Sequence, residues 1–236
     1  MNTNRNWILG LSFIVGMAVF ALLAGHTIRS VKRMDEFVTV KGLSEREVPA
    51  DLAIWPIAFT TAENDLTLLQ GQIQTARKAV YQFLTESGFE PAEISNGLPQ
   101  ITDAQAASGG LDVSQRPFRY QANITVLLRS AKIPKVKSAM EASDKLVQQG
   151  IALSGGDYQS RPQFLFTGLN QIKPDMIQEA NRNARKAAER FAADSNSPVG
   201  AVRHAIQGPF EINDVDSSSP DRKIVRVVTT VDFYLQ

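Results

Sequence analysis

Histidine and cysteine are the first side chains to consider for chemistry, because the chain of 236 residues has two histidines and no cysteine. His26 and His204 lie far apart in the sequence. Metal sites built from imidazole and thiolate ligands need several such side chains at short, recurring spacings. The sequence therefore predicts no metal site built from these ligands, which leaves open a site built from carboxylates alone.

A serine and an aspartate stand close together in Ser154-Gly155-Gly156-Asp157. A serine nucleophile needs a base and an orienting acid, and the nucleophile elbow of hydrolases has the pattern G-x-S-x-G, which this segment lacks. We interpret these four residues as a glycine-bearing turn or bulge. The sequence also lacks the glycine-rich patterns that bind dinucleotides or nucleotide phosphates. We therefore expect no catalytic residues, no cofactor and no enzymatic activity.

Two aromatic residues follow the most loop-like stretch of the chain, Ala104–Pro117, which contains glycine and serine. Exposed loops held by a rigid scaffold often carry binding residues. Phe118 and Tyr120 are therefore the positions at which we expect a ligand contact, if the protein binds a small molecule.

An uncharged apolar segment, Trp7–Gly25, runs for nineteen residues and contains Ser12 as its one polar side chain. A helix of this length spans about 28 Å, close to the ~30 Å hydrocarbon core of a bilayer. The run exceeds the apolar region of a secretory signal, and Leu22 or Leu23 occupies the position where cleavage requires a small residue. We predict an uncleaved membrane anchor. Its apolar side chains are Trp7, Ile8, Leu9, Leu11, Phe13, Ile14, Val15, Met17, Val19, Phe20, Leu22 and Leu23.

Charge gives two further indications. Arg5 precedes the apolar segment, whereas Arg29, Lys32 and Arg33 follow it. The positive-inside bias alone would place the following domain in the cytoplasm. The whole chain has 25 Lys and Arg against 24 Asp and Glu, so nothing in its charge favours nucleic acid as a partner.

Residues 35–236 are predicted to form an α+β domain after an anchor and linker over residues 1–34. Its helices are expected to pack on mixed or antiparallel sheets, because the predicted order is strand–strand–helix–strand, strand–helix–strand, helix–strand–strand. The predicted strands are Phe37–Lys41, Asp51–Thr61, Glu93–Thr102, Arg119–Arg129, Val199–Gln207 and Lys223–Leu235, with shorter pieces within Ala152–Phe166. The predicted helices run from Asn64 or Asp65 to Gly88, from Pro134 to Gln149 and from Pro174 to Asp194. The last helix is expected to bury a stripe of Ile177, Ala180, Ala184, Ala187 and Phe191.

Two local features of the strands are also predicted. Residues 42–50 are expected to form a polar turn between the first two strands. Pro56 cannot donate a ladder hydrogen bond, so the strand that contains it is expected at a sheet edge or with a bulge.

Three of these segments resemble the SIMPL domain family, a bacterial group that includes periplasmic immunogenic proteins and proteins described as oxidative-stress-related. They are the strand, glycine and acidic turn of Val38–Phe59, the alanine-rich helix Ala180–Ala192, and the alternating strand Val225–Leu235. The resemblance covers residues 36–236 and implies an extracytoplasmic α+β domain. Together with the predicted anchor, it favours a single-span protein of the bacterial inner membrane with a periplasmic C-terminal domain, against the charge bias. Asp51 matches the family motif and is a candidate for ligand binding or for a backbone contact at the start of a strand.

Two functions remain open at this point. The first is a membrane-anchored, non-enzymatic cell-envelope protein that acts through homo-oligomeric self-assembly, as a ring or scaffold, and through envelope protein partners. Its basis is the single anchor and the strand edges that such a domain must cover. The second is a periplasmic module that binds small molecules or damaged proteins. The family's association with oxidative stress is a phenotype and favours neither mechanism.

Overall fold

The computed structural model describes residues 16, 17, 20, 36–107, 117–154 and 160–235. Its strands are β1 (Phe37–Pro49), β2 (Leu52–Glu63), β3 (Ile94–Asn96), β4 (Gln100–Asp103), β5 (Tyr120–Ser130), β6 (Ala152–Leu153), β7 (Gln163–Leu165), β8 (Val199–Gln207), β9 (Glu211–Asp214) and β10 (Arg222–Leu235). Its helices are α1 (Leu66–Glu86), α2 (Ala104–Ala107), α3 (Ile133–Glu141), α4 (Asp144–Gln148) and α5 (Leu169–Ser195). The strands pair in antiparallel sheets with packed helices, which confirms the predicted α+β class.

Most of the predicted anchor, Trp7–Gly25, lies outside the described residues. Of that segment the structure describes Gly16, Met17 and Phe20, which are helical. Within the described part of the chain, no helix combines the length and the apolar character needed to span a membrane.

The described residues divide into two compact units. The first unit contains the residues up to Arg46, Gln171–Glu211, and the chain from Val225 onward. The second unit contains Glu47–Asn170 and Ile212–Ile224.

The second unit is organised around the long pair of strands β2 and β5. The two strands align from Ala53 opposite Ser130 to Glu63 opposite Tyr120. β3 and β4 extend the sheet beyond β5, while β6 and β7 extend it beyond β2. One face of the sheet packs against α1, because both contribute an apolar stripe to the same core. The largest fully buried side chains of this core are Phe59, Leu69, Ile73, Val80, Leu84, Ile124, Val126, Leu128, Val136 and Leu146.

Helix α1 begins and ends as the sequence predicts. The Asp65 carboxylate accepts hydrogen bonds from the amides of Thr67 and Leu68, at 2.7 and 2.9 Å, and so satisfies two donors of the first turn. Gly88 follows the helix with a φ of 87°, a left-handed conformation that glycine adopts without strain.

The first unit contains a sheet in the order β1–β10–β8, with α5 packed on one face. The helix turns a stripe of small side chains toward β1 and β10. Its buried residues are Met176, Ala180, Ala184, Ala188 and Ala192. Because these side chains are small, the helix backbone approaches the strand backbone closely at Gly42.

Two predicted elements at the sheets are wrong. The segment after Lys41 was expected to be a polar turn, but β1 continues through it to Pro49. Buried and exposed residues alternate along this part of β1, as in a half-buried strand. Its buried positions are Gly42, Ser44 and Val48, which give little apolar signal in the sequence. The predicted strand Glu93–Thr102 is instead two strands, β3 and β4, separated by Gly97, Leu98 and Pro99.

Two predicted helices also need correction. The expected helix Pro134–Gln149 is broken at Ala142–Ser143 into α3 and α4. The last helix begins at Leu169, so Pro174 lies inside its second turn rather than at its start. Proline there removes one backbone hydrogen bond, to the carbonyl of Asn170. Phe191, expected on the buried stripe, is 49 % exposed.

Pro56 was expected to mark an edge strand or a bulge, yet β2 lies inside its sheet in an unbroken register with β5. On its other side β2 pairs with β7 through Leu52–Ile54 and with β6 through Phe59 and Thr60. Pro56 therefore falls in the gap between those two short strands. The carbonyl of Ala58 accepts from the Ser154 amide on that side, so Pro56, two residues away, faces the gap and removes no ladder bond.

Candidate functional site

Asp51 directly precedes β2 and binds backbone. Its Oδ1 accepts the Thr167 amide at 2.8 Å, and its Oδ2 accepts the amides of Thr167 and Gly168 at 3.0 and 3.1 Å. The Asp51 amide in turn donates to the Leu165 carbonyl at 2.9 Å. These contacts fasten the segment between β7 and α5 to the start of β2, and they place a negative charge near the first turn of α5.

Phe118 and Tyr120 lie at the other end of β2, where Tyr120 stands opposite Glu63. Phe118 is 45 % exposed and Tyr120 is half-buried. The structure therefore does not bring Asp51 together with the two aromatic residues. Arg119 separates the two aromatic residues in the sequence. Its guanidinium lies 4.8 Å from the centre of the Tyr120 ring, within the range of a cation–π contact.

An ion pair closes the base of the predicted loop Ala104–Pro117. Arg119 Nη2 lies 3.0 Å from Asp103 Oδ2, and the Ala104 amide donates to the Arg119 carbonyl at 2.8 Å. The hydrogen bond from Arg119 lowers the pKa of the Asp103 carboxyl, which also accepts the Gln105 and Ala106 amides. Residues 108–116 of this loop lie outside the described residues, so the expectation of a ligand contact there stays a prediction.

The residues first considered for chemistry are dispersed. Ser154 Oγ is 2.8 Å from Thr60 Oγ1, and His204 stands opposite Asp232 across β8 and β10. Gly155, Gly156 and Asp157 lie outside the described residues. Over the described ranges, no group of three His, Cys, Asp or Glu side chains could hold a metal ion.

A groove of about 500 Å³ lies in the second unit between α1, β2 and the turn that joins α4 to β6. Its floor is apolar and its rim is polar. The described residues that line it are uncharged: Phe59, Thr60, Thr61, Gly71, Gln72, Thr75, Ala76, Ala79, Gln149, Gly150 and Ile151. This size and this mixture of apolar surface with a few polar groups are typical of sites for small molecules. This groove was not predicted from the sequence. Small residues such as Gly71 and Ala76 line a groove only where the fold brings the turn between α4 and β6 beside them.

The polar rim of this groove is braced by its own hydrogen bonds. The Thr61 hydroxyl binds Gln72 Oε1, and Gln72 Nε2 donates to Glu63 Oε2 at 3.0 Å. Gln72 is therefore held between a strand hydroxyl and a strand carboxylate, which fixes one wall of the groove.

The first unit has a second candidate surface, the strand β8. Among the described residues β8 pairs with β10 alone, so its other side is an open sheet edge. All nine of its residues are exposed or half-exposed, and the apolar side chains of Val202 and Ile206 are 48 % and 56 % exposed. The bounds Val199–Gln207 are those predicted from the sequence, but the open edge was not predicted. An open edge of this kind is a template for pairing with another chain.

The charged residue of β8 is bound to aromatic rings of its own sheet. The guanidinium of Arg203 lies 4.2 Å from the centre of the Phe37 ring and 6.0 Å from that of Tyr234. The register explains this position, because His204 stands opposite Asp232 and Val202 opposite Phe233, so that Arg203 is the extra residue of a bulge.

A family model matches most of the chain. The family model described as SIMPL, a protein of unknown function (DUF541), matches residues 38–229. No curated protein matches the chain. The match includes α5 and β8 entirely, β1 from Val38 onward and most of β10, as well as the described elements of the second unit. The chain therefore belongs to the SIMPL family.

Proposed function

We propose that this protein is a membrane-anchored, non-enzymatic cell-envelope protein that acts through self-assembly and partner binding. The observation that carries the proposal is the open edge of β8. A nine-residue edge with exposed Val202 and Ile206 has backbone groups and apolar surface available to another chain.

The composition of β8 supports this interpretation. Proteins that keep a sheet edge single usually place several charges or a proline on it. β8 has one charged residue, Arg203, and that side chain is engaged by Phe37 and Tyr234. No proline interrupts the strand.

The anchor is the second part of the proposal. Trp7–Gly25 has the length and apolar character of a single membrane span. Tethering chains to one membrane raises their local concentration, so that a short contact between edges becomes effective without additional surface. We place the C-terminal domain in the periplasm, following the family resemblance.

The test is the mass of the full-length protein in mild detergent, measured beside a chain that begins at Asp35. We expect a discrete multiple of the chain mass for the full-length protein. The variant Ile206→Lys places a charge on the exposed edge and is expected to shift the full-length protein toward the monomer. Leu98→Lys is the matched control, because Leu98 is 91 % exposed in the turn between β3 and β4. A monomer at micromolar concentration for the unmodified full-length protein would exclude self-assembly.

The groove of the second unit favours a second candidate function, the binding of a small molecule in the periplasm. Its uncharged lining suits a neutral compound with an apolar body and hydrogen-bonding groups. A thermal-shift screen of neutral compounds should then give hits that Ala76→Phe, which fills the groove, abolishes. Hits that persist in Ala76→Phe would place binding elsewhere.

A further inference from the structure

We propose that two copies of this chain pair through β8, antiparallel and about a two-fold axis at Ala205, so that two β1–β10–β8 sheets become one continuous sheet. The proposal rests on the self-assembly proposed above and names the surface and the register that perform it.

The direction of the backbone groups decides which residues can pair. The Gly208 amide donates to the Val228 carbonyl at 2.8 Å, so Gly208 faces β10. In an antiparallel strand the amide and the carbonyl of one residue face the same neighbouring strand, and those of the next residue face the opposite side. His204 and Ile206 therefore face β10 as well, whereas Ala205 and Gln207 present their amides and carbonyls to the open edge.

The bulge at Arg203 limits the regular part of this edge. From His204 to Gln207 the register with β10 is unbroken, and it shifts on the other side of His204. Bulges at sheet edges interrupt pairing. A two-fold axis that pairs the outward-facing residues of this stretch can therefore lie at Ala205, at Ile206 or at Gln207.

The proline that follows β8 disfavours the axes at Ile206 and at Gln207. An axis at Ile206 would place Arg203 of one copy opposite Pro209 of the other. An axis at Gln207 would place Ala205 of one copy opposite Pro209 of the other. Either pair needs an amide from each residue, and proline has none. An axis at Ala205 instead places Ala205 opposite itself, with a reciprocal pair of hydrogen bonds between the two copies.

The side chains fit the register at Ala205. His204 of each copy faces Ile206 of the other, and Arg203 faces the neutral Gln207, so no like charges stand opposite each other. A register at Arg203 would oppose two guanidinium groups directly. The methyl group of Ala205 on the axis allows the two backbones to approach to sheet spacing. Ile206, 56 % exposed in the single chain, would then be covered by its neighbour.

The experiment uses the absence of cysteine from this sequence. In the full-length protein in mild detergent, Ala205→Cys introduces a single thiol at the axis. Directly opposed residues of a hydrogen-bonded antiparallel pair have Cα atoms about 5.5 Å apart, inside the range that a disulfide spans. Mild oxidation should convert most of the Ala205→Cys chain to a covalent dimer on a non-reducing gel. Lys41→Cys is the matched control, an exposed position on β1 at the other edge of the same sheet, and it should give several-fold less dimer.

The outcomes separate this inference from the proposed function. If the unmodified protein is a multimer by mass but Ala205→Cys gives no more dimer than Lys41→Cys, the pairing of β8 about Ala205 is wrong. If the unmodified protein is a monomer and neither variant cross-links, self-assembly and the β8 pairing both fail. Efficient cross-linking of Ala205→Cys that Ile206→Lys suppresses would establish the pairing.

Discussion

Gly42 on β1 and Ala180 on α5 touch through their backbones. A Cβ atom built on Gly42 would lie 1.9 Å from the Ala180 carbonyl oxygen and 2.5 Å from the Ala184 amide nitrogen. Both distances are far below contact distance, and both atoms belong to a helix backbone that cannot rotate away. The close approach of helix and strand in the first unit therefore depends on glycine at this position.

The first prediction is that Gly42→Ala destabilises the protein. An inserted methyl group forces α5 away from the sheet, and overpacking of this kind costs roughly 3 kcal/mol. The denaturant midpoint in urea should fall accordingly. Gly71→Ala is the control, since a Cβ at Gly71 meets no atom within 4 Å and lies inside α1. There we expect stabilisation of about 0.5–1 kcal/mol, because alanine favours helix. Equal midpoints for the two variants would contradict the close approach.

The second prediction concerns the backbone contacts of Asp51. Asp51→Ala leaves the Thr167 and Gly168 amides without their acceptor, and we expect a loss of about 1–3 kcal/mol in the free energy of unfolding. Asp51→Asn keeps one oxygen acceptor and should lose less. Glu45→Ala, which removes an exposed carboxylate from β1, should change the midpoint little. Should Asp51→Ala match Glu45→Ala in stability, the carboxylate would be free for a role other than holding backbone.

How far the sequence could predict the fold is clearest at α5. The helix itself, its alanine spacing and the alternating strand that it covers were all predicted. The end of the predicted buried stripe was wrong, because the structure buries Ala188 and Ala192 and leaves Phe191 exposed. The close approach of helix and strand at Gly42 favours small side chains on the buried face. That distance depends on β1, more than a hundred residues away in sequence, and no local pattern reports it.

The candidate surfaces were less predictable for the same reason. The bounds of β8 follow from its own residues, but its exposure depends on which distant strands pair with β10. Likewise, the groove beside α1 arises where a helix meets a turn from a different part of the chain. Asp51 was singled out correctly as a residue of interest, whereas its partners, Thr167 and Gly168, could be found only from the structure.

The third prediction tests a polar contact between β1 and α5. Ser44 is buried, and its hydroxyl donates to Glu179 Oε2 at 2.9 Å, while Arg46 approaches the same oxygen at 3.8 Å. A double-mutant cycle of Ser44→Ala and Glu179→Gln should give a coupling energy of about 1 kcal/mol. The exposed pair of Thr39 and Asp232, at 2.7 Å, provides the comparison. Its coupling should be smaller, because water competes for both groups. A larger coupling for the exposed pair would contradict the argument from burial.

The fourth prediction is a pH dependence that originates at Glu93. Burial alone would raise the pKa of this carboxyl. However, hydrogen bonds from the Glu90 amide, the Ser130 hydroxyl and the Lys132 ammonium lower the pKa from 4.5 to about 2. Lys132 Nζ lies 2.9 Å from Glu93 Oε2, and the Glu90 amide donates to the same oxygen at 2.8 Å. The folded protein therefore holds Glu93 ionised at pH values where the unfolded chain is already protonated.

The sign of the effect follows from this difference. A lowered pKa in the folded state stabilises the protein above the unfolded value of 4.5, and that contribution is lost as the pH falls toward 2. Glu93→Gln should therefore lower the urea midpoint at about pH 7, and its difference from the unmodified protein should shrink at about pH 3. Glu141→Gln, an exposed carboxylate at the end of α3, is the matched control and should show little difference at neutral pH. A Glu93→Gln effect that stays constant down to about pH 3 would mean that the carboxylate charge is not what stabilises this turn.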